Sequence, residues 1–142
     1  MAVKQEKSCG FIVYRETQGI RDYLIIRSMN GDYGFPKGHV EQDKTEYETA
    51  ARELKEETGI TVQIVEGFRR QIEYKLPGKA DTIKHAVYFL GKSTGNPIVR
   101  QPDEVQEAMF VSFEKGLEML SFEQTKTVLR EAETYLITNP SV

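Results

Sequence analysis

This chain of 142 residues has a single cysteine, no excess of positive charge and no long apolar run. One thiol rules out an intramolecular disulfide, which suits a reducing cytoplasm. Cys9 adjoins the run Gly10-Phe11-Ile12-Val13, so a small buried core residue is expected rather than a nucleophile. Nineteen Lys and Arg against twenty-two Asp and Glu give a formal charge of -3. No overall basic field therefore draws nucleic acid or an anionic membrane, and any polyanion has to be met by local cations or by a metal. No stretch approaches the roughly twenty apolar residues that span a bilayer, and the opening MAVKQEKS has no apolar core. A soluble protein that is not exported is expected. Repeats, linkers and low-complexity tracts are absent. With 39% hydrophobic residues the chain can build one core, and residues 1–142 are expected to form one domain.

What is present is a succession of strand and helix signals. Residues 7–15 (KSCGFIVYR) and 20–27 (IRDYLIIR) are rich in aromatic and β-branched side chains and flank the turn-like ETQG, which predicts a hairpin. The polar break 28–33 (SMNGDY) leads into Gly34-Phe35-Pro36-Lys37-Gly38, where a proline and two glycines predict a loop that positions something. Thr45 with Glu48 forms a capping box and Gly59 a stop, so a helix is expected from about Glu46 to Thr58. Its apolar stripe is Tyr47, Ala50, Ala51 and Leu54, with Thr49 and the glutamates elsewhere. Residues 61–76 predict one long bent strand or two, ended by Pro77-Gly78-Lys79. Residues 82–92 (TIKHAVYFLGK) predict a strand through the sheet centre, and 93–104, with Pro97 and Pro102, a loop. A last strand over 106–113 precedes helices over 114–120 and 122–137, the second burying Phe122, Val128, Leu129, Ala132, Tyr135 and Leu136.

The chemistry concentrates on the first helix. Glu53, Glu56 and Glu57 stand three and four residues apart, so their carboxylates share one side of a helix. Like charges there repel. Either a lysine such as Lys55 compensates on a solvated face, or a hard divalent cation with oxygen ligands, magnesium or manganese, draws them together. The second reading points to phosphates.

The surrounding residues favour it. Gly38 followed by Arg52-Glu53-Leu54, Glu56-Glu57 and Gly59-Ile60 resembles the Nudix box, whose pattern is Gly, five residues, Glu, seven residues, Arg-Glu-aliphatic-x-Glu-Glu-x-Gly-aliphatic. One position departs from it, because Lys44 stands where the pattern has its first Glu. The resemblance implies an α/β fold, a Nudix-type α/β/α sandwich with a mixed β-sheet between the box helix and a C-terminal helix. It also implies hydrolysis of a phosphoanhydride. Carried onto this chain, Glu53, Glu56 and Glu57 are metal ligands, the Gly38 carbonyl is a further ligand, and Arg52 pairs with a neighbouring glutamate to orient it. The family often adds an acid from a late loop as base or ligand. Here Glu104 is the choice and Asp103 the reserve.

A narrower resemblance concerns substrate. Phe35-Pro36-Lys37-Gly38-His39-Val40-Glu41 is similar to the corresponding run of asymmetric diadenosine tetraphosphate hydrolases, with looser similarity around Gly67-Phe68-Arg69-Arg70, Tyr74, Lys84, Tyr88 and the C-terminal stretch. It implies cleavage to ATP and AMP. Lys37 and Lys84, assisted by Arg69 and Arg70, suit a polyphosphate bridge, and Tyr33, Tyr74, Tyr88 and Phe122 are candidates to stack adenine. Tyr33 stands where that group often has Trp. His39 is expected to be a loop residue without chemistry and His85 a packed, hydrogen-bonded strand residue. The alternatives are a Nudix enzyme acting on RNA 5′ ends or nucleoside triphosphates, and a non-catalytic nucleotide-binding module prompted by Lys44. The sequence leaves the oligomeric state open.

Overall fold

A computed structural model of the chain describes residues 4–41, 43–75 and 81–140. The expected stop at Pro77-Gly78-Lys79 lies outside them. Seven strands and three helices follow in the order β1 (Lys4–Thr17), β2 (Ile20–Ser28), β3 (Tyr33–Gly34), β4 (Lys37–His39), α1 (Glu46–Thr58), β5 (Val62–Lys75), β6 (Thr82–Ser93), β7 (Val105–Ser112), α2 (Phe113–Met119) and α3 (Glu123–Thr138).

The hairpin forms with a tighter turn than ETQG suggested. Register runs to Thr17 opposite Ile20, leaving two turn residues, Gln18 and Gly19, both with positive φ (53° and 80°). That geometry follows the right-handed strand twist. The sheet is mixed, in the order β3-β2-β1-β6-β5, with β4 added to β1 and β7 to β2. β6 runs parallel to β1 and antiparallel to β5, an interior position that its apolar run predicted. β5 is one strand, irregular between Ile64 and Arg69, where Gly67 has φ 89°.

Strand alternation divides the core between two faces. From β1, Cys9, Phe11 and Val13 join Ala50 and Leu54 of α1 on one face, while Ile12 and Tyr14 join Val128, Leu129, Ala132 and Leu136 of α3 on the other. The result is the expected α/β/α sandwich. Cys9 is buried, and burial pushes its thiol up to about 11, which leaves it an inert core residue. Two apolar assignments shift. Tyr47 is 41% exposed, although its ring meets Phe11 and Phe89 edge-on at 5.8 and 6.2 Å. Phe122 is not in the buried stripe but 55% exposed, because α3 begins one residue later and leaves it as the N-cap.

One detail of topology sets up the site. β1 and β2 pair only from Tyr14 opposite Tyr23 toward the hairpin turn. Farther from the turn the strands part, and the segment after β2 fills the fork, with β3 pairing Ile26 and Arg27 of β2 and β4 pairing Ser8, Cys9 and Gly10 of β1. Lys37 and Gly38 are thereby held in the sheet beside α1.

Candidate active site

Helix α1 forms as its caps predict. The Thr45 hydroxyl accepts from the Glu48 N–H at 3.0 Å, the Glu48 carboxylate accepts from the Thr45 N–H at 3.2 Å, and Gly59 ends the helix with φ 75°. The buried face is wider than the predicted stripe. It includes Thr49, Thr58 and, at 8% exposure, Glu57. Glu56 stands about half exposed and Glu53 between the two.

The three carboxylates therefore differ in environment. Burial, then the charge of Glu53, pushes Glu57 up to about 8, against a main-chain hydrogen bond from Lys37 that favours the anion. Burial and the charge of Glu56 also raise Glu53, with Arg52 opposing. Arg52, rather than Lys55, is the cation among them: its guanidinium lies 3.4 Å from Glu53 Oε1, 3.9 Å from Glu56 Oε1 and 3.6 Å from Glu41 Oε1. Glu104 is exposed on the loop before β7, and its charge reaches both Glu53 and Glu57. That loop is pinned to the end of α1, where the Gln101 N–H donates to the Glu57 carbonyl at 3.0 Å and the Val99 N–H to the Thr58 carbonyl at 2.7 Å.

Two glycines allow this crowding. A Cβ on Gly38 would fall 2.1 Å from the Glu53 carboxyl carbon, so the Glu53 carboxyl group lies directly over the Gly38 main chain. On the facing strand, a Cβ on Gly10 would fall 2.1 Å from the Pro36 carbonyl oxygen. Gly10 is a site-shaping residue that the sequence did not single out, since it sits inside an ordinary-looking strand.

Among the described residues, no three His, Cys, Asp or Glu side chains form a ready-made ligand group. The donor set nonetheless fits a hard divalent cation. Glu57 Oε1 is buried without a hydrogen-bond partner, beside a second carboxylate whose charge opposes its ionisation. Such an orphaned anionic oxygen is costly unless a cation meets it. Glu53, Glu56 and Glu57 could hold that ion, with Glu104 and the Gly38 carbonyl as further oxygens.

On the α3 side of the sheet lies a cleft of about 570 Å³. It is lined by all six residues expected to meet substrate: Tyr33, Lys37, Tyr74, Lys84, Tyr88 and Phe122. They enter it differently. Lys37 Nζ donates to Tyr74 Oη at 2.9 Å, and desolvation lowers its affinity for the proton, while its own N–H reaches Glu57. One residue thus joins the carboxylates to the cleft. Tyr88 is 1% exposed and packs edge-on against Phe35 at 5.5 Å, which makes it floor rather than a stacking surface. Tyr33 is fixed by Glu107, which accepts from its hydroxyl at 3.0 Å, and by Arg27 over its ring. Phe122 stands at the mouth with its ring open to solvent.

Arg69 and Arg70 do not join the cleft lining. Arg69 makes a two-pronged contact with Glu46, at 2.9 and 2.8 Å, and Arg70 pairs with Glu131 at 3.1 Å. His39 is exposed but ends strand β4 opposite Ser8 rather than lying in a loop, while His85 lies between Gln5 and Gln71, as expected. The cleft adds residues that sequence reasoning passed over: Lys75, a third lysine, and the polar rim Asn30, Asp32 and Gln124. The SMNGDY segment carried a signal in its hydrogen-bonding side chains, but it also has the composition of any turn.

The NUDIX domain model matches residues 4–132. The chain is 29% identical over 147 residues to the asymmetrical bis(5′-nucleosyl)-tetraphosphatase of Mus musculus, an alignment covering 95% of this chain and 98% of the relative. It is 27% identical over 135 residues to the protein of the same name from Caenorhabditis elegans, covering 92% and 96%. The crystal structure of a C. elegans Ap4A hydrolase binary complex matches with a TM-score of 0.85 at 25% identity, over 94% of this chain and 98% of that one. The fold is therefore shared with that hydrolase, and since the domain model spans most of the chain, the chain belongs to the NUDIX domain family.

Proposed function

We propose that this protein hydrolyses a phosphoanhydride bond of diadenosine tetraphosphate, or of a related dinucleoside polyphosphate, giving ATP and AMP. The observation that carries the reading is the double attachment of Lys37. Its main chain meets Glu57 and its ammonium points into the aromatic cleft against Tyr74, so a polyphosphate seated by an adenosine in the cleft would run toward the carboxylates. Full-length likeness to asymmetrical tetraphosphatases supports the same substrate.

In this reading Glu53, Glu56, Glu57 and the Gly38 carbonyl hold magnesium or manganese, and Glu104 is either a further ligand or the base. When bound, the divalent ions offset charge on the phosphoryl oxygens and acidify water. The chain supplies the rest. Lys37 and Lys84, with Lys75 nearby, face the negative bridge, and Phe122 and Tyr74 offer rings to a base. Arg52 keeps Glu53 and Glu56 in place, and Glu104, in the role of base, takes a proton from the attacking water. Products leave as two nucleotides, with water added across the cleaved P–O–P linkage. The same proposal takes residues 1–142 as one domain working on a small nucleotide in the cytoplasm, where Cys9 stays reduced. Among the described residues no helix is long and apolar enough to cross a membrane.

The test is a competition of substrates. With magnesium, kcat/KM for diadenosine tetraphosphate should exceed that for RNA 5′ ends and for nucleoside triphosphates by at least about tenfold, the loss expected when one stacked base or its phosphates goes unrecognised. Equal or faster turnover of RNA ends would move the assignment to the RNA-directed reading, and no turnover of any of them to a binding module.

A further inference from the structure

Arg52 is held from two sides. Its Nη2 lies 3.4 Å from Glu53 and its Nη1 3.9 Å from Glu56, both on α1, while the same Nη1 lies 3.6 Å from Glu41 on the loop that enters the helix. The NUDIX pattern has its loop glutamate at position 44, and here that residue is Lys44. Lys44 is exposed, and its N–H donates to the Glu41 carbonyl at 3.0 Å, closing a turn between them. The loop thus lacks a carboxylate at the motif position and presents one to Arg52 from the other end of that turn.

We propose that Glu41 is a positioning residue for the metal-holding helix. By engaging Nη1 from the loop side it draws the Arg52 guanidinium away from full pairing with Glu53 and Glu56, and so leaves their oxygens open to a divalent cation. The physical reason is competition. A guanidinium is planar and presents several N–H groups, so if its partner on the loop is lost it can turn to a two-pronged contact with a helix carboxylate. A carboxylate neutralised in that way is a poorer ligand. The Glu41 side chain is 59% exposed and that of Arg52 37% exposed. The pair itself therefore adds little to stability, and its effect belongs to the geometry and charge of the neighbouring glutamates. Glu41 touches neither substrate nor reacting atoms.

The inference rests on the reading of Glu53, Glu56 and Glu57 as metal ligands, and the experiment separates the two. Mn²⁺ binding to the intact protein is measured by titration, following free Mn²⁺ by electron paramagnetic resonance, for wild type, Glu41→Gln, Arg52→Gln and the double variant, with thermal melts in EDTA alongside. Glu41→Gln should raise the Mn²⁺ Kd by roughly threefold to tenfold, an effect of the size expected when a neighbouring charge pair is rearranged, while its melting temperature in EDTA stays at the wild-type value. In the Arg52→Gln background the same change should move Kd by less than about twofold, because the group through which Glu41 acts is gone. An unchanged Kd for Glu41→Gln would overturn the proposal and leave the metal-ligand reading standing. An equal loss in both backgrounds would overturn it too, since Glu41 would then act by bulk charge and not through Arg52. A wild-type protein that bound no Mn²⁺ would overturn both readings together.

Discussion

At the scale of single residues, burial decides what each candidate does. Glu57 is a carboxyl group driven by α1 into the protein beside Glu53, with Oε1 left unpartnered, whereas Glu56 keeps half its surface in water. Glu56→Gln should therefore leave the fold intact, with a melting temperature close to wild type, and lower kcat by roughly 10²- to 10³-fold, as removal of one ligand to a charge-stabilising centre does. A near-wild-type rate would remove the metal-site argument. The aromatics divide in the same way. Phe122→Ala should raise KM for diadenosine tetraphosphate about tenfold, the loss of one base stack, at little cost in stability because the ring is mostly exposed. Tyr88→Ala should instead cost about 3 kcal/mol or more of folding free energy, visible in denaturant titration, because Tyr88 fills the floor beneath Phe35. The sequence grouped these rings together as aromatic candidates. Only tertiary packing separates a ring at the mouth from one in the floor.

At the scale of elements, sequence signals are legible where the chemistry is local. The capping box, Gly59 and the three-and-four spacing of the glutamates need only residues within one turn of each other, so the helix and its acid side were legible. Glu46 was not, because its partners come from other strands: Lys7 of β1 and Arg69 of β5 both pair with it at the first turn of α1. Arg69 first, then Lys7, holds its carboxyl down to about 2 from an ordinary 4.5. Because the folded-state value is depressed, the contribution is complete above about pH 4.5 and disappears as pH falls toward 2. Glu46→Gln should lower the melting temperature at pH 7 by a few degrees, about 1 kcal/mol for so exposed a cluster, and the deficit should close across that acid window. A deficit independent of pH would show that the charge is not what Glu46 contributes. The entry loop makes a second prediction. With Glu41 already on Arg52, Lys44→Glu should change kcat/KM by less than about threefold. It should also raise the melting temperature slightly, since a negative charge suits the helix N-terminus better than a lysine. A tenfold gain in activity would mean that Lys44 had weakened the site.

At the scale of the whole molecule, the sheet brings the carboxylates and the cleft together. β1 and β2 diverge, β3 and β4 fill the gap, and Lys37 emerges there with Glu57 on its main chain and Tyr74 on its side chain. The individual strands and helices follow from periodicities visible in the sequence, whereas the layering of two helices around a mixed sheet was expected from the family resemblance. The fork does not, because it depends on where two registers end. The convergence of Lys37, Lys84 and Phe122 from three separate elements was expected from family resemblance, not from spacing. In the proposed function this convergence couples divalent ions on α1 to a dinucleoside polyphosphate in the cleft. The most direct measurement is chromatographic analysis of the products formed from diadenosine tetraphosphate, with magnesium and with EDTA. ATP and AMP in equal amounts, formed only with magnesium, is the predicted result. Two equivalents of ADP, or the same rate in EDTA, would contradict it.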